Sequence, residues 1–340
     1  MTTTDRAAAT ADLDRLVIRP YAGEEDLPEI LRLMNADMAA NGVRQVWTLA
    51  ELAAIFRHPS ESFDARRDVL VAEIDGVVVG AVRCEWVDMT DGRREFRSRG
   101  AVDPAWMRRG IGRRLLDEAQ ELMRGLDREH PTDRPRIFGT WVDERQVGLA
   151  ALAGSAGYVP SRWFFEMERA RIDVDRGEIL PMPEGLEVRP SSRETAAQIW
   201  KADHEAFRDH WGGHDESEAN FLRWVESPEF QPDLFMVAWD GDEIAGAVLN
   251  AVYAEENEVL GIRRGWLDSV FTRRAWRGRG LARALIGRSI HVLADAGMDT
   301  AALGVDADNP SGALRLYESC GFAVVERGAA WQRPLEEPES

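Results

Sequence analysis

Hydrophobic and polar positions along the chain fall into two series that repeat one another. Leu16-Val17-Ile18-Arg19-Pro20 is a short apolar run closed by proline, and Leu186-Glu187-Val188-Arg189-Pro190 has the same form. Each predicts a short strand followed by an acidic helix start. In the second series, Ser191 with Glu194 predicts a capping box for a helix ending at Phe207. A polar loop over 207–215 and a helix over 216–226 follow. Alternation then predicts strands over 234–239 and 244–252, joined by the hairpin signal Asp240-Gly241. Further on come a strand over 266–272, a helix over 281–296, a buried strand over 300–305, a helix over 310–319 and a final strand over 322–325. The first series keeps the plan: a hairpin over 69–82 around Asp75-Gly76, a strand ending near Val102, a helix over 115–126 and a strand over 137–142. This is α+β organisation, a mixed sheet with flanking helices, present twice.

The two series stand in constant register. Arg19 and Arg189 are 170 positions apart, and so are Gly110 and Gly280 (189 − 19 and 280 − 110). A fixed offset at two distant places marks a tandem duplication. Pro181-Met182-Pro183-Glu184-Gly185 reads as a linker. The expected division is a disordered N-terminus over 1–14, a first domain over 15–168, a linker over 169–185, a second domain over 186–335 and an acidic tail over 336–340.

Composition narrows the function. The chain has 340 residues, enough for two ordinary domains, and 44% hydrophobic with 30% charged residues is the balance of a globular protein. A net charge of −18 opposes a nucleic-acid footprint and favours cationic substrates. Cys84 and Cys320 lie in different halves and match no zinc spacing, so neither a disulfide scaffold nor a metal site is expected. No apolar run approaches spanning length, and residues 1–14 resemble no signal peptide, so the expected address is the cytoplasm.

The chemistry gathers at two glycine-rich turns. Met107-Arg108-Arg109-Gly110-Ile111-Gly112 and Arg277-Gly278-Arg279-Gly280-Leu281-Ala282 each lie between a strand and a helix. Such a turn delivers several backbone N–H groups, with the helix N-terminus behind them, to one anion. Arg273, Arg274, Arg277, Arg279 and Arg283 surround the second turn in an otherwise acidic chain. No Lys-Ser/Thr follows the glycines and the spacing is not G-x-G-x-x-G, so neither a nucleoside-triphosphate loop nor a dinucleotide fold is supported.

The pattern Arg277-x-x-Gly280-x-Ala282 after a strand resembles the pyrophosphate turn of the GNAT acetyltransferase superfamily. The later run Asp308-Asn309-Pro310-Ser311-Gly312-Ala313-Leu314-Arg315-Leu316-Tyr317-Glu318-Ser319-Cys320-Gly321-Phe322 is similar to the family's closing helix and strand. The resemblance covers nearly the whole chain as two tandem units, a layout similar to that of the mycothiol synthases. It implies acetyl-CoA as donor, a small primary amine as acceptor and no metal. It implies that Val270, Phe271 and Thr272 line the pantetheine arm, that the amides of Arg277, Gly278, Arg279, Gly280, Leu281 and Ala282 hold the pyrophosphate, and that Asn309 contacts the arm. Tyr317 is then the proton donor to the departing thiolate.

For the acceptor's proton, Asp268 and Glu256 are the carboxylates of first choice, with Glu255, Glu258, His204, His210 and His214 as alternatives. His210, Trp211, His214 and Glu255 are the expected acceptor contacts. In the first copy, matching Gly157-Tyr158 with Gly321-Phe322 puts Ala153 opposite Tyr317 and Arg145 opposite Asn309. That copy is therefore expected to be non-catalytic, with a possible second CoA site at Val102, Arg108, Arg109, Gly110 and Gly112. The expected enzyme is a monomer or homodimer with no nucleic-acid or membrane partner. Two other readings stay open: a non-catalytic acyl-CoA-sensing module and a protein N-acetyltransferase.

Overall fold

Two-residue turns generate much of the strand pairing. Asp75 and Gly76, with φ of 51° and 78°, close the hairpin between β2 (Val69–Ile74) and β3 (Val77–Asp88), because positive φ at both turn positions matches the twist of the flanking strands. In the second half the hairpin between β8 (Met236–Asp240) and β9 (Glu243–Ala251) turns at Gly241 and Asp242, one residue later than the Asp240-Gly241 signal, with positive φ only at Gly241 (56°). The structure, a computed structural model, describes residues 12–208, 210–212, 215–309 and 312–335.

The first unit runs to Ser161 and also takes the stretch from Ala329. Its sheet begins with β1 (Leu16–Pro20), β2 and β3 and continues with β4 (Arg94–Val102) and β5 (Arg136–Asp143). The end of the last strand, β12 (Ala323–Pro334), follows beside β5. Helices α1 (Leu27–Asn41), α2 (Leu49–Arg57), α3 (Ala65–Asp68), α4 (Ile111–Glu129) and α5 (Val147–Ser155) complete this unit. On α4, Ile111, Leu115, Ala119, Met123 and Leu126 recur at helical spacing and are buried against Val79, Cys84, Phe96 and Phe138.

The second unit is Arg162–Gly328. Its sheet order starts with β7 (Glu187–Arg189), β8 and β9 and ends with β10 (Arg264–Thr272), β11 (Thr300–Asp306) and β6 (Val159–Ala170). Helix α6 (Ala196–Phe207) buries Ile199, Ala202 and Ala206 on one face of the sheet. Helices α7 (Glu218–Glu226) and α8 (Ala254–Leu260) follow it in sequence. Helix α9 (Leu281–Asp295) buries Leu285, Ile286, Ile290 and Leu293 against Leu267, Leu303 and Met167 on the other face. Helix α10 (Ala313–Ser319) adds Tyr317 to that core.

Among the described residues both sheets pair mainly antiparallel, with β4–β5 and β10–β11 parallel, the mixed α+β organisation expected. Three further details differ from the sequence expectation. The capping box is Ser192 with Thr195 rather than Ser191 with Glu194, one residue later, because Ser192 accepts from the Glu194 amide while Thr195 Oγ1 accepts from the Ser192 amide. The compact division falls within β6 and β12, not in the segment 169–185. Residues 171–186, irregular after Ala170, are also no loose linker: Ile172 is fully buried, Arg288 donates to Leu180 O at 2.6 Å, and Arg176 pairs with Asp295 at 2.5 Å along α9.

Candidate active site

The site of the second unit begins where two parallel strands part. β10 and β11 pair only over Arg264–Trp266 and Thr300–Ala302, then run on to Thr272 and Asp306 without pairing each other. A bulge at Asp268, between Leu267 and Ser269 in the ladder with β9, turns β10 away. The facing edges of Val270–Thr272 and Leu303–Asp306 therefore keep peptide groups available to an extended chain lying between them. Gly246 lets this splay pack closely, since a Cβ there would lie 2.6 Å from the Phe271 carbonyl oxygen.

Beyond Thr272 the chain makes a 3-10 turn at Arg274–Trp276 and enters α9 through Gly278 (φ 75°) and Gly280 (φ 84°). Two left-handed residues in three positions aim successive amides outward, a conformation suited to glycine. Among the described residues no protein acceptor takes the N–H groups of Gly278, Arg279, Gly280, Leu281 or Ala282, and a Cβ at either glycine would meet nothing within 4 Å. This open cradle at a helix N-terminus fits a pyrophosphate. The arginines around it are largely braces: Arg277 donates to Thr272 O and Ala206 O at 3.0 and 3.1 Å, Arg279 to Glu184 O at 2.8 Å, Arg283 to Ser319 O at 3.2 Å, and Arg273 pairs with Glu205 at 2.8 Å.

Tyr317 lies on α10 with its ring edge-on to Phe322 at 6.3 Å. Burial, with a smaller contribution from the Cys320 thiol, pushes the phenol pKa up to about 12. Among the described residues its hydroxyl has no hydrogen-bond partner. Asn309 sits just past β11, its amide donating to Asp306 O at 3.1 Å. Burial also pushes up the thiol pKa of both cysteines, so neither is a poised nucleophile.

The expected acceptor groups separate. Asp268 is exposed and accepts from Tyr253 Oη at 2.9 Å. Glu256 is itself buried and paired with Arg264 at 2.8 Å, which counts against its expected place as a base, since a carboxylate without solvent access and held by a buried guanidinium acts as a structural counter-ion. Glu255 and Glu258 are on the exposed side of α8. His204 packs on Trp200 at 3.9 Å, with its Nδ1 3.0 Å from Trp200 O. His210 rests edge-on to Phe207 at 4.4 Å. Trp211 stacks beneath the Arg162 guanidinium at 5.3 Å and near Phe164 at 5.7 Å. His214 lies outside the described residues.

Sequence reasoning missed β6 as part of this unit. On β6, β11 and β10, Phe165, Met167, Leu303, Val305 and Leu267 point to α9, so alternation sends Phe164, Glu166, Glu168, Gly304, Asp306, Arg264 and Trp266 to the opposite face. There Arg264, 1% exposed, meets Glu166 at 2.7 Å, Glu256 at 2.8 Å and Glu168 at 3.2 Å, and stacks on Trp266 at 4.7 Å. Burial disfavours its cation, and the carboxylates more than offset this, so its pKa is raised. Alternation along 164–168 was the available signal, obscured by assigning the segment to the first domain.

The first unit keeps the backbone of this site without the phenol. β4 and β5 pair only over Arg94–Arg97 and Arg136–Gly139 before parting, and Arg108 (φ 64°) and Gly110 (φ 90°) reproduce the left-handed pair. The Tyr158 amide donates to Ala153 O at 3.0 Å as the Phe322 amide donates to Tyr317 O at 3.1 Å, which makes Ala153 the counterpart of Tyr317. The counterpart of Asn309 is Gln146 and not Arg145. Gln146 N donates to Asp143 O at 3.0 Å, as Asn309 N does to Asp306 O, while Arg145 N takes the Asp143 side chain as Asp308 N takes that of Asp306. Val102 ends β4. Over the turn, Asp12 pairs with Arg109 at 2.7 Å, and a Cβ at Gly110 would meet Leu13 at 3.0 Å. Gly112 follows at the start of α4.

Two splayed sheets, each with an anion turn feeding a helix, define a tandem acetyltransferase architecture. Residues 196–322 match the Acetyltransferase (GNAT) family and residues 65–158 an Acetyltransferase (GNAT) domain. The chain is 32% identical to a mycothiol acetyltransferase of Geodermatophilus obscurus over 96% of this chain and 98% of that one. It is 28% identical to another from Corynebacterium efficiens, over 76% and 79%. Among solved structures, a GCN5-related N-acetyltransferase from Sphaerobacter thermophilus superposes with a TM-score of 0.68 at 23% identity, covering 95% of this chain and 97% of that one. A tandem GNAT protein from the clavulanic acid biosynthesis pathway superposes with a TM-score of 0.69 at 19% identity, over 95% and 100%. The chain belongs to the GNAT acetyltransferase family, in tandem form, and is an N-acetyltransferase. GNAT acetyltransferases use acetyl-CoA. Among the described residues no group of three or more His, Cys, Asp or Glu is arranged to hold a metal ion, and no helix is long and apolar enough to cross a membrane.

Proposed function

We propose that the second unit transfers acetyl from acetyl-CoA to the primary amine of a small acceptor, cationic or of aminosugar type, by direct attack. The observation that carries this reading is the unequal survival of the two sites: the open turn, Asn309 and Tyr317 persist together in the second unit, while Ala153 replaces the phenol in the first. The amides of Gly278–Ala282 hold the pyrophosphate, and the freed edges of β10 and β11 align the arm. Acetyl-CoA supplies an activated thioester at the end of that arm. Tyr317 holds a proton at Oη for the departing sulfur, and its raised pKa keeps it protonated at neutral pH. Asp268, exposed at the bulge beside Tyr253, takes the acceptor's proton directly or through water.

The curated relatives named mycothiol acetyltransferase make a cysteinyl-aminosugar amine the first acceptor to assay. The test is thiol release from acetyl-CoA across a panel of amines, with the acetylated product identified by mass. Release matched by N-acetylated amine supports the reading. Acetyl-CoA binding without release from any amine would sink it in favour of a sensing module.

A further inference from the structure

We propose that β6, which sequence assigns to the first repeat, supplies the acceptor-recognition edge of the second site, with Glu166 as its specificity-determining carboxylate and Gly304 as the floor beside it. The inference rests on the proposed transfer reaction in the second unit and adds where the acceptor is held.

Glu166 stands directly opposite Gly304 in the β6–β11 ladder. Gly304 lies two residues beyond Ala302, the last β11 residue paired with β10, so it borders the gap between the parted strands. It is exposed, and a Cβ there would meet nothing within 4 Å. The face thus has open space at the mouth of the gap. Phe164, opposite Asp306 and 5.7 Å from Trp211, stands at one end of it, and Trp266, opposite Ala302, stands at the other. Aromatic faces flanking carboxylates suit an amine carrying a hydroxylated or cationic body.

Charge points the same way. One guanidinium, Arg264, meets three carboxylates, so this face keeps excess negative charge next to the gap. Glu256 is buried and Glu168 is more covered than Glu166, whose side chain is 20% exposed. Of the three, Glu166 is therefore the one best placed to meet an incoming ligand, and Arg264 fixes its position through a 2.7 Å hydrogen bond. A carboxylate already oriented by a buried cation loses little rotamer freedom on binding.

The experiment is steady-state kinetics of the full chain with the best acceptor of the thiol-release panel, glucosamine being its reference aminosugar. Glu166→Gln and Gly304→Leu are each expected to raise KM for the amine at least about tenfold, equivalent to about 1.4 kcal/mol of binding. KM for acetyl-CoA should stay within about twofold in Glu166→Gln, as β6 lies outside both the pyrophosphate turn and the gap between β10 and β11. Gly304→Leu fills open space and disturbs no ion pair, so it reads the site even where Glu166→Gln weakens the fold. An unchanged amine KM in both variants overturns the proposal, as does an equal rise in both KM values in Glu166→Gln. Should no amine release thiol, the transfer reading fails by itself, and equilibrium dialysis of glucosamine then decides this one: binding lost in Gly304→Leu supports it, binding kept or never seen overturns it.

Discussion

The Phe322 amide donates to the Tyr317 carbonyl at 3.1 Å, closing the end of α10, whose Tyr317 ring packs in the core with Leu303, Val305 and Phe322. The same bond in the first unit ends on Ala153. Tyr317→Phe is expected to lower kcat by ~10²–10⁴, the usual worth of a positioned general acid. Acetyl-CoA affinity and the unfolding midpoint should hardly move, because the lost hydroxyl has no partner among the described residues. Isothermal titration with acetyl-CoA beside turnover checks both halves, and unaltered kcat removes Tyr317 from the mechanism.

Burial raises the Tyr317 pKa to about 12 from an ordinary 10.0, so the donor form persists further into alkali than in free tyrosine. The sign for stability follows: the raised pKa costs the fold nothing below about pH 10, and destabilisation grows as pH rises from there towards the folded value. The kcat profile should accordingly show no descending limb between about pH 7 and 10 that disappears in Tyr317→Phe. A limb near neutrality that vanishes in the variant would mean that the phenol ionises early.

Gly280→Ala should damage donor binding selectively. Its φ of 84° costs an alanine about 1–2 kcal/mol, yet the added Cβ meets no protein atom within 4 Å. The fold is therefore expected to survive while the methyl group intrudes where an anion would approach. Loss of one or two charge-assisted amide contacts, about 1.5–3 kcal/mol each, predicts a rise of ten- to a hundredfold or more in KM for acetyl-CoA. Retention of KM would place the pyrophosphate elsewhere.

The buried ion cluster divides the carboxylates by role. Arg264→Met leaves Glu166, Glu168 and Glu256 facing one another, and breaking such a pair costs about 3–5 kcal/mol. Chemical denaturation should show that loss. Glu256→Gln should lower stability with kcat within a few-fold, whereas Asp268→Asn should lower kcat with stability nearly intact. The reverse pattern would return the base role to Glu256.

How much of this was legible depended on how far each signal was local. The hairpin at Asp75-Gly76, the strand at Leu16–Pro20 and both glycine turns are written in neighbouring residues, and the structure keeps them. The strands β6 and β12 extend far beyond what local alternation showed, because their outer residues pair with strands distant in sequence. Glu166 and Glu168 were invisible as site residues for the same reason: only the β6–β11 register brings them to Arg264. The identity of Gln146 as the counterpart of Asn309 needed the Asp143 turn, since sequence alignment from Gly157 slips by one residue. Glu256 was misread because nothing local distinguishes a solvated acid on α8 from one buried under Arg264.

The first unit's turn is shaped for an anion but already has one beside it. Asp12 pairs with Arg109 at 2.7 Å and with Arg15 at 2.8 Å, and Leu13 lies against Gly110, whereas Gly280 has open space. The Arg109 hydrogen bond, opposed by burial and aided by Arg15, keeps the Asp12 carboxyl below its ordinary 3.8, so it is charged at neutral pH. Its contribution to the fold is present above the ordinary value and lost as pH falls through the lowered one. Equilibrium dialysis at neutral pH is therefore expected to give one acetyl-CoA per chain. Asp12→Asn combined with Leu13→Gly uncovers a turn whose Arg108 and Gly110 keep the left-handed pair, and binding should rise towards two per chain. Gly280→Ala in the same background identifies which site has been gained, since it weakens only the second. Two equivalents bound by the unaltered chain would show that Asp12 and Leu13 give way to the ligand.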